Sequence, residues 1–128
     1  MFKKIKYSKL NSRQKENYNF HKVSAKLADY GFNSMRLNDD WEGADFISIN
    51  DEQMIKVQLK GRFSIDKKYI GKNLLIAFVE KNEVKIYHHD EAVSMAPKNI
   101  INSKSWKDYG RYTWSPTPKI YSKIITIL

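Results

Sequence analysis

The feature that most restricts the fold is a pair of short runs, alternating in polarity, on either side of the polar turn "NDEQ" at 50–53. In the first run, about 44–49, Phe46 shares a face with Ser48, while Asp45, Ile47 and Ile49 share the other. In the second, about 54–60, Ile55, Val57 and Leu59 share one face and Met54, Lys56, Gln58 and Lys60 share the opposite one. A period of two is that of a strand with one face buried, and a turn this short joins two such strands antiparallel. The second strand therefore ends on two polar side chains, Gln58 and Lys60, that point the same way. Its direction carries both back to the start of the first strand, where Asp45 stands.

Upstream, "NSRQKENYNFHKVSAKLADYGF" reads as a helix, with Asn11 or Ser12 as N-cap and Gly31 as the stop after Tyr30. Phe20, Val23, Leu27 and Tyr30 recur at the helical period and form its apolar face. One turn toward the N-terminus, the same line reaches Glu16. Residues 1–10 carry Lys3, Lys4, Lys6 and Lys9 and read as a basic flexible arm or an edge strand. A further strand is expected at about 33–38.

Beyond the hairpin, the basic loop "RFSIDKKYIGK" leads into "NLLIAFVE", whose nearly continuous hydrophobicity predicts a strand covered on both faces. A second hairpin turns at "KNE" and returns through "VKIYHH". "DEAVSMA" predicts a short helix from Asp90 that ends before Pro97. Residues 98–118, rich in aromatics and cations, lack periodicity and read as a long surface loop. The tail 119–128 fits either a helix or a strand.

Composition narrows the function. At the usual domain size of about 100 to 200 residues, 128 residues make one domain with a modest core. The absence of Cys excludes disulfides, thiolate zinc sites and cysteine nucleophiles. With no apolar leader and no run approaching the roughly 20 apolar residues that span a bilayer, the expectation is a cytoplasmic protein without membrane partners. Lys plus Arg number 23 against 14 Asp plus Glu, a net charge of +9 that makes a polyanion, above all nucleic acid, the natural partner.

Glu16, Asp45, Gln58 and Lys60 together offer two carboxylates, an amide oxygen and an ammonium. Mg2+ or Mn2+ accepts such oxygen ligands while keeping several waters, so Glu16, Asp45 and Gln58 are the candidate metal ligands. Lys60 is placed to assist an attacking water and to stabilise charge growing on a phosphate. Taken singly, each residue has a plainer role: Asp45 as a turn cap, Glu16 as a favourable charge in a first helical turn, Gln58 and Lys60 on a solvated face. Their convergence is what points to chemistry.

The arrangement resembles the PD-(D/E)XK nuclease superfamily: Glu16 in "RQKENYNF" matches an acid on a preceding helix, "GADF" supplies Asp45, and "VQLK" supplies Gln58 and Lys60. The resemblance covers about residues 11–89, and its Gln-x-Lys form is most similar to Mrr-type restriction enzymes and archaeal Holliday-junction resolvase relatives. Ala44 stands where the family commonly has Pro, and Gln58 replaces the commoner Glu, removing one negative charge from the metal site. The resemblance implies an α/β (α+β) fold with a restriction-endonuclease-like core, a central mixed β-sheet flanked by helices. It further implies metal-dependent hydrolysis of DNA phosphodiesters by Glu16, Asp45, Gln58 and Lys60. A homodimer would suit the cutting of two strands.

Around this centre, Arg62, Lys67, Lys68 and Lys72 of the loop after Lys60 are the expected phosphate contacts. Lys104, Lys107 and Arg111, interleaved with Trp106, Tyr109, Tyr112 and Trp114, suit stacking on unpaired bases, or else a loop pinned by buried rings. Asp39, Asp40 and Glu42 read as turn residues, with Asp40 or Glu42 as a supporting acid, and Trp41 as a lid on the core. His88 and His89 point to opposite faces of a strand and cannot jointly hold one ion; His21 reads as a polar-edge residue. Two other functions fit the same residues: a noncatalytic nucleic-acid-binding module, and a phage or mobile-element accessory protein that meets an acidic partner.

Overall fold

A computed structural model describes all residues, 1–128. The element order is α1 (Ser12–Ala28), β1 (Asn33–Trp41), β2 (Ala44–Ile49), β3 (Met54–Leu59), β4 (Ser64–Asp66), β5 (Leu75–Glu80), β6 (Glu83–His88), α2 (His89–Ser94), α3 (Lys98–Ile101), β7 (Arg111–Thr113) and β8 (Thr126–Ile127). Six strands form one mixed sheet in the order β1-β2-β3-β5-β6-β8, and β4 pairs with β7 apart from it. Only β3 and β5 run parallel; every other pairing is antiparallel. This is the α/β class expected, a central mixed sheet flanked by helices.

Local chemistry sets the boundaries. Asn11 caps α1 through a reciprocal box: its side chain accepts from the Gln14 N–H, while the Gln14 side chain accepts from the Asn11 N–H. At the other end, Gly31 takes φ +80°, and the Gly31 and Phe32 N–H groups donate to the Ala28 and Leu27 carbonyls, closing the helix with a Schellman motif. Val23 and Leu27 are buried as the periodicity requires. Tyr30 lies beyond the last turn and is exposed, so it leaves the apolar face. Gly43, at φ +84°, completes the β1–β2 turn, where an added Cβ would lie 2.8 Å from the Tyr69 ring. The β2–β3 turn is held by the Asn50 side chain, which accepts from the Glu52 and Gln53 N–H groups.

The sheet has two apolar faces. On one, Val23 and Leu27 of α1 pack with Phe46, Val57, Ala77, Val84 and Ile86. On the other, Phe63 lies stacked on Tyr87 at 4.3 Å and against Tyr121 at 4.4 Å, in a core that also holds Ile76, Phe78, Ile100 and Trp106. Covered on both sides, Ile76, Ala77 and Phe78 of β5 are all buried, as its unbroken hydrophobicity indicated.

The 98–118 segment carries more order than a surface loop. It contains α3, a wide helical turn at Ser105–Tyr109 and β7, because Trp106 is buried and Trp114 packs edge-on against Tyr121. Its order is supplied by these aromatic anchors, which have no helical or strand period. The tail adds a single 3-10 turn at Lys119–Tyr121 and the edge strand β8. Residues 1–10 join no strand; a 3-10 turn at Tyr7–Lys9 rests the arm on α1, with the Asn19 amide donating to the Tyr7 hydroxyl. Trp41, expected as a lid on the core, is exposed and lies beneath the Lys56 ammonium.

The buried Tyr87 hydroxyl fastens β6 to β4, donating to the Ser64 carbonyl at 2.6 Å and accepting from the Ser64 N–H at 3.0 Å. Tyr87→Phe strands both backbone groups and should cost about 1 to 3 kcal/mol in urea unfolding. Ser64→Ala, which keeps those backbone groups paired, should stay within about 0.5 kcal/mol of wild type.

Candidate active site

The register of β2 against β3 pairs Phe46 with Val57. One further step along the ladder sets Asp45 against Gln58, and here a side chain takes over from the backbone: the Leu59 N–H donates to Asp45 Oδ2 at 2.8 Å. The Gln58 amide donates to the Leu59 carbonyl at 3.3 Å. Lys60 follows immediately, its own N–H bonded to the Ala77 carbonyl of β5. The ends of β2 and β3 are thereby fixed to each other and to the buried centre of the sheet.

Glu16, Asp45, Gln58 and Lys60 all line one lobe of 470 Å³, which they share with Tyr7, Lys15, Asn19 and Arg36. Asp45 and Gln58 also line the adjoining lobe of 350 Å³, together with Asp39, Asp40, Lys68, Tyr69 and Lys72. The strand pair thus forms the ridge between two connected hollows. Glu16 stands on the exposed rim, on the first turns of α1.

The electrostatics of the ridge are unfavourable to both of its charges. Burial raises the Asp45 carboxyl above its ordinary range; the Leu59 N–H bond and the Lys60 charge oppose that rise, and Glu16 and Asp40 add to it. Burial lowers the Lys60 ammonium, reinforced by Lys68 and Arg111 and opposed by Asp66 and Asp45. Burial likewise pushes the Tyr69 hydroxyl up to about 12, with Asp66, Asp45 and Asp40 contributing. Both Lys60 and Lys68 hold their ammonium groups over the Tyr69 ring, 5.3 and 5.1 Å from its centre. Perturbed groups of opposite sign in one cleft mark candidate chemistry.

The remaining expected residues divide. Lys68 and Lys72 line the second lobe; Arg62 lines neither lobe, and Lys67 turns its ammonium over the Trp106 ring instead. Lys104, Lys107 and Arg111 are exposed outside both lobes, although the Arg111 charge is felt at Lys60. Asp40 borders the cleft, whereas Glu42 is paired with Lys56, which lowers its carboxyl. His89 is buried away from the cleft: its Nε2 accepts from the Asp66 N–H, its Nδ1 faces Asp90, and burial lowers its pKa. His88 bonds to Asn73, and His21 is exposed at the helix edge. Several cleft residues were not anticipated from the sequence, among them Lys15 on α1 and three others. Arg36 comes from an edge strand, Tyr69 from the loop after β4, and Tyr7 from the arm, and no local period marks any of them.

No family model matches the chain, and no curated protein matches it in sequence. Among solved structures, a bacterial homing endonuclease, I-Ssp6803I, is similar at a TM-score of 0.52, covering 85% of this chain and 78% of its own at 12% identity. The likeness is one of fold. This chain has an endonuclease-like architecture, and no helix is long and apolar enough to cross a membrane.

Because ionising Asp45 is harder in the folded protein than in the unfolded chain, its charge subtracts from stability at neutral pH. That penalty is present above the raised folded-state pKa and vanishes as pH falls below the ordinary value of 3.8. Asp45→Asn keeps an oxygen acceptor for the Leu59 N–H. It should melt at a higher temperature than wild type at pH 7, the two curves converging at about pH 3 in scanning calorimetry.

Proposed function

We propose that this chain is a metal-dependent endonuclease of the PD-(D/E)XK type that hydrolyses DNA phosphodiesters, with Glu16, Asp45, Gln58 and Lys60 as its working residues. The observation that carries this reading is the convergence of all four on one cleft, at the end of a hairpin whose register fixes three of them.

The donor chemistry suits a hard cation. No three His, Cys, Asp or Glu side chains gather anywhere as a ready-made metal cluster. A metal would therefore rest on two carboxylates, Glu16 and Asp45, together with neutral oxygens from the Gln58 amide and the Leu59 carbonyl. That set fits Mg2+ or Mn2+, which tolerate few protein ligands when waters complete the shell. The long Gln58 to Leu59 bond leaves the amide free to turn its oxygen outward. When bound, the metal supplies Lewis acidity, making water more acidic and neutralising phosphate charge.

The chain's own groups do the rest. Lys60, its ammonium already disfavoured by burial, gives up a proton more readily than a solvated lysine, so its amine can accept the proton of an attacking water. Once protonated, it faces the negative charge that grows on the phosphate oxygens. Asp45, held by the Leu59 N–H, cannot swing away from the ridge. Lys68 and Lys72 on one lobe and Lys15 and Arg36 on the other are placed to hold the flanking phosphates.

A second reading, a noncatalytic DNA-binding module on this fold, draws on the neutral Gln58 and the exposed Glu16. The two readings part in a cleavage assay on linear duplex, single-stranded, flap and four-way-junction DNA with Mg2+, Mn2+ or EDTA. The nuclease reading predicts metal-dependent cutting, reduced at least about 100-fold by Lys60→Ala and by Asp45→Asn. Salt-sensitive binding with no cutting by the wild type, unchanged by Lys60→Ala, would establish the binding module instead.

A further inference from the structure

Beside the candidate active site lies a recess of 240 Å³ lined by Tyr7, Tyr18, Asn19, Gly61, Val79, Lys81 and Asn82. Tyr7, Asn19 and Gly61 belong to this recess and to the lobe holding Lys60, so the two spaces adjoin. Gly61 follows Lys60 directly, and a Cβ added there would meet no atom within 4 Å, so nothing crowds the backbone that borders both spaces.

The two tyrosines are built into place and yet uncovered. The Tyr7 hydroxyl is held by the Asn19 amide at 3.1 Å, and its ring lies 5.1 Å from that of Tyr18 at an angle of 59°. Even so, Tyr7 is 40% and Tyr18 37% exposed. An arm whose aromatics served only to pin it would bury them. Each ring also has a lysine above it, Lys15 over Tyr7 at 5.4 Å and Lys22 over Tyr18 at 5.3 Å, and Lys81 stands at the rim.

We propose that this recess receives an unpaired nucleobase next to the phosphate to be cut, stacked on Tyr7 or Tyr18 while Lys15, Lys22 and Lys81 contact the adjoining backbone. The inference rests on the nuclease reading for its substrate and deepens it by naming a class: DNA with an unstacked nucleotide at a flap, gap or junction. Charge selects this occupant, since an apolar peptide would leave the three ammonium groups without an anionic partner, whereas a nucleotide brings both a π-face and an anion. Pairing state selects it further. A base inside an unbroken duplex has both faces covered by its neighbours, so only an unstacked base can offer one to a tyrosine.

The test is binding in EDTA, which separates recognition from cutting. Fluorescence anisotropy would compare a flapped duplex carrying 2-aminopurine in the unpaired strand with an unbroken duplex of the same sequence. Wild type should prefer the flapped probe, and the Tyr7→Ala/Tyr18→Ala double variant should lose about tenfold in affinity for it, with the unbroken duplex changed less than about twofold. The Tyr7→Phe/Tyr18→Phe variant, which keeps both rings, should bind as wild type does. Equal affinity of the alanine variant and wild type for the flapped probe overturns the inference, as does an equal loss on both probes. If wild type cuts DNA with Mg2+ while the alanine variant binds unimpaired, the recess fails and the nuclease reading stands. A tyrosine-dependent flap preference without any cutting leaves the recess standing and removes the nuclease.

Discussion

The pairing of Phe46 with Val57 is the constraint on which the rest of the site depends. Both side chains are fully buried beneath α1, and because side chains alternate along a strand, burying them forces Asp45 and Gln58 onto the opposite face. A slip of one residue would exchange the faces, driving Gln58 into the apolar core and Val57 into the cleft. Such a slip would forfeit the burial of Val57, about 1.5 to 3 kcal/mol, and drive the Gln58 amide into apolar surroundings besides, so the register is strongly enforced. The hydrophobic effect on one side of the hairpin thereby places the polar residues on the other.

That placement is made at some expense to the residues concerned. Asp45 and Lys60 each sit where burial disfavours the charged form, and their mutual attraction recovers only part of the loss. The surrounding structure holds them there: β5 secures the backbone of Lys60, and Tyr69, packed close against Gly43, supplies a ring beneath its ammonium. The aromatic core around Phe63, Tyr87 and Tyr121 steadies β4 and the loop that delivers Tyr69. A stable interior and a strained surface site are thus parts of one arrangement.

Much of this was legible in the sequence, and the divide follows the range of the interactions. The N-cap at Asn11 or Ser12, the glycine stop at Gly31, the two hairpins and the polar face of β3 all rest on neighbours within a few residues, and local pattern conveys them. Glu16 was found because it extends a helical face. Arg36, Tyr69 and Tyr7 reach the cleft through contacts between distant segments, and nothing beside them in the chain announces it. The same limit explains Lys67, whose position in a basic loop suggested phosphate contact while its side chain lies over Trp106. It also explains 98–118, where the buried Trp106 and the partly buried Trp114 impose order that no periodicity records.

We propose that the ridge formed by Asp45 and Gln58, with Glu16 at its rim, binds a divalent cation. The most direct measurement is an Mn2+ titration followed by electron paramagnetic resonance, with the protein saturated by a phosphorothioate duplex that resists cleavage. The expected result is a bound Mn2+ whose affinity falls at least about tenfold in Asp45→Asn, relative to wild type on the same DNA. Equal Mn2+ binding by wild type and Asp45→Asn, or none by wild type beyond that of the DNA alone, would contradict it.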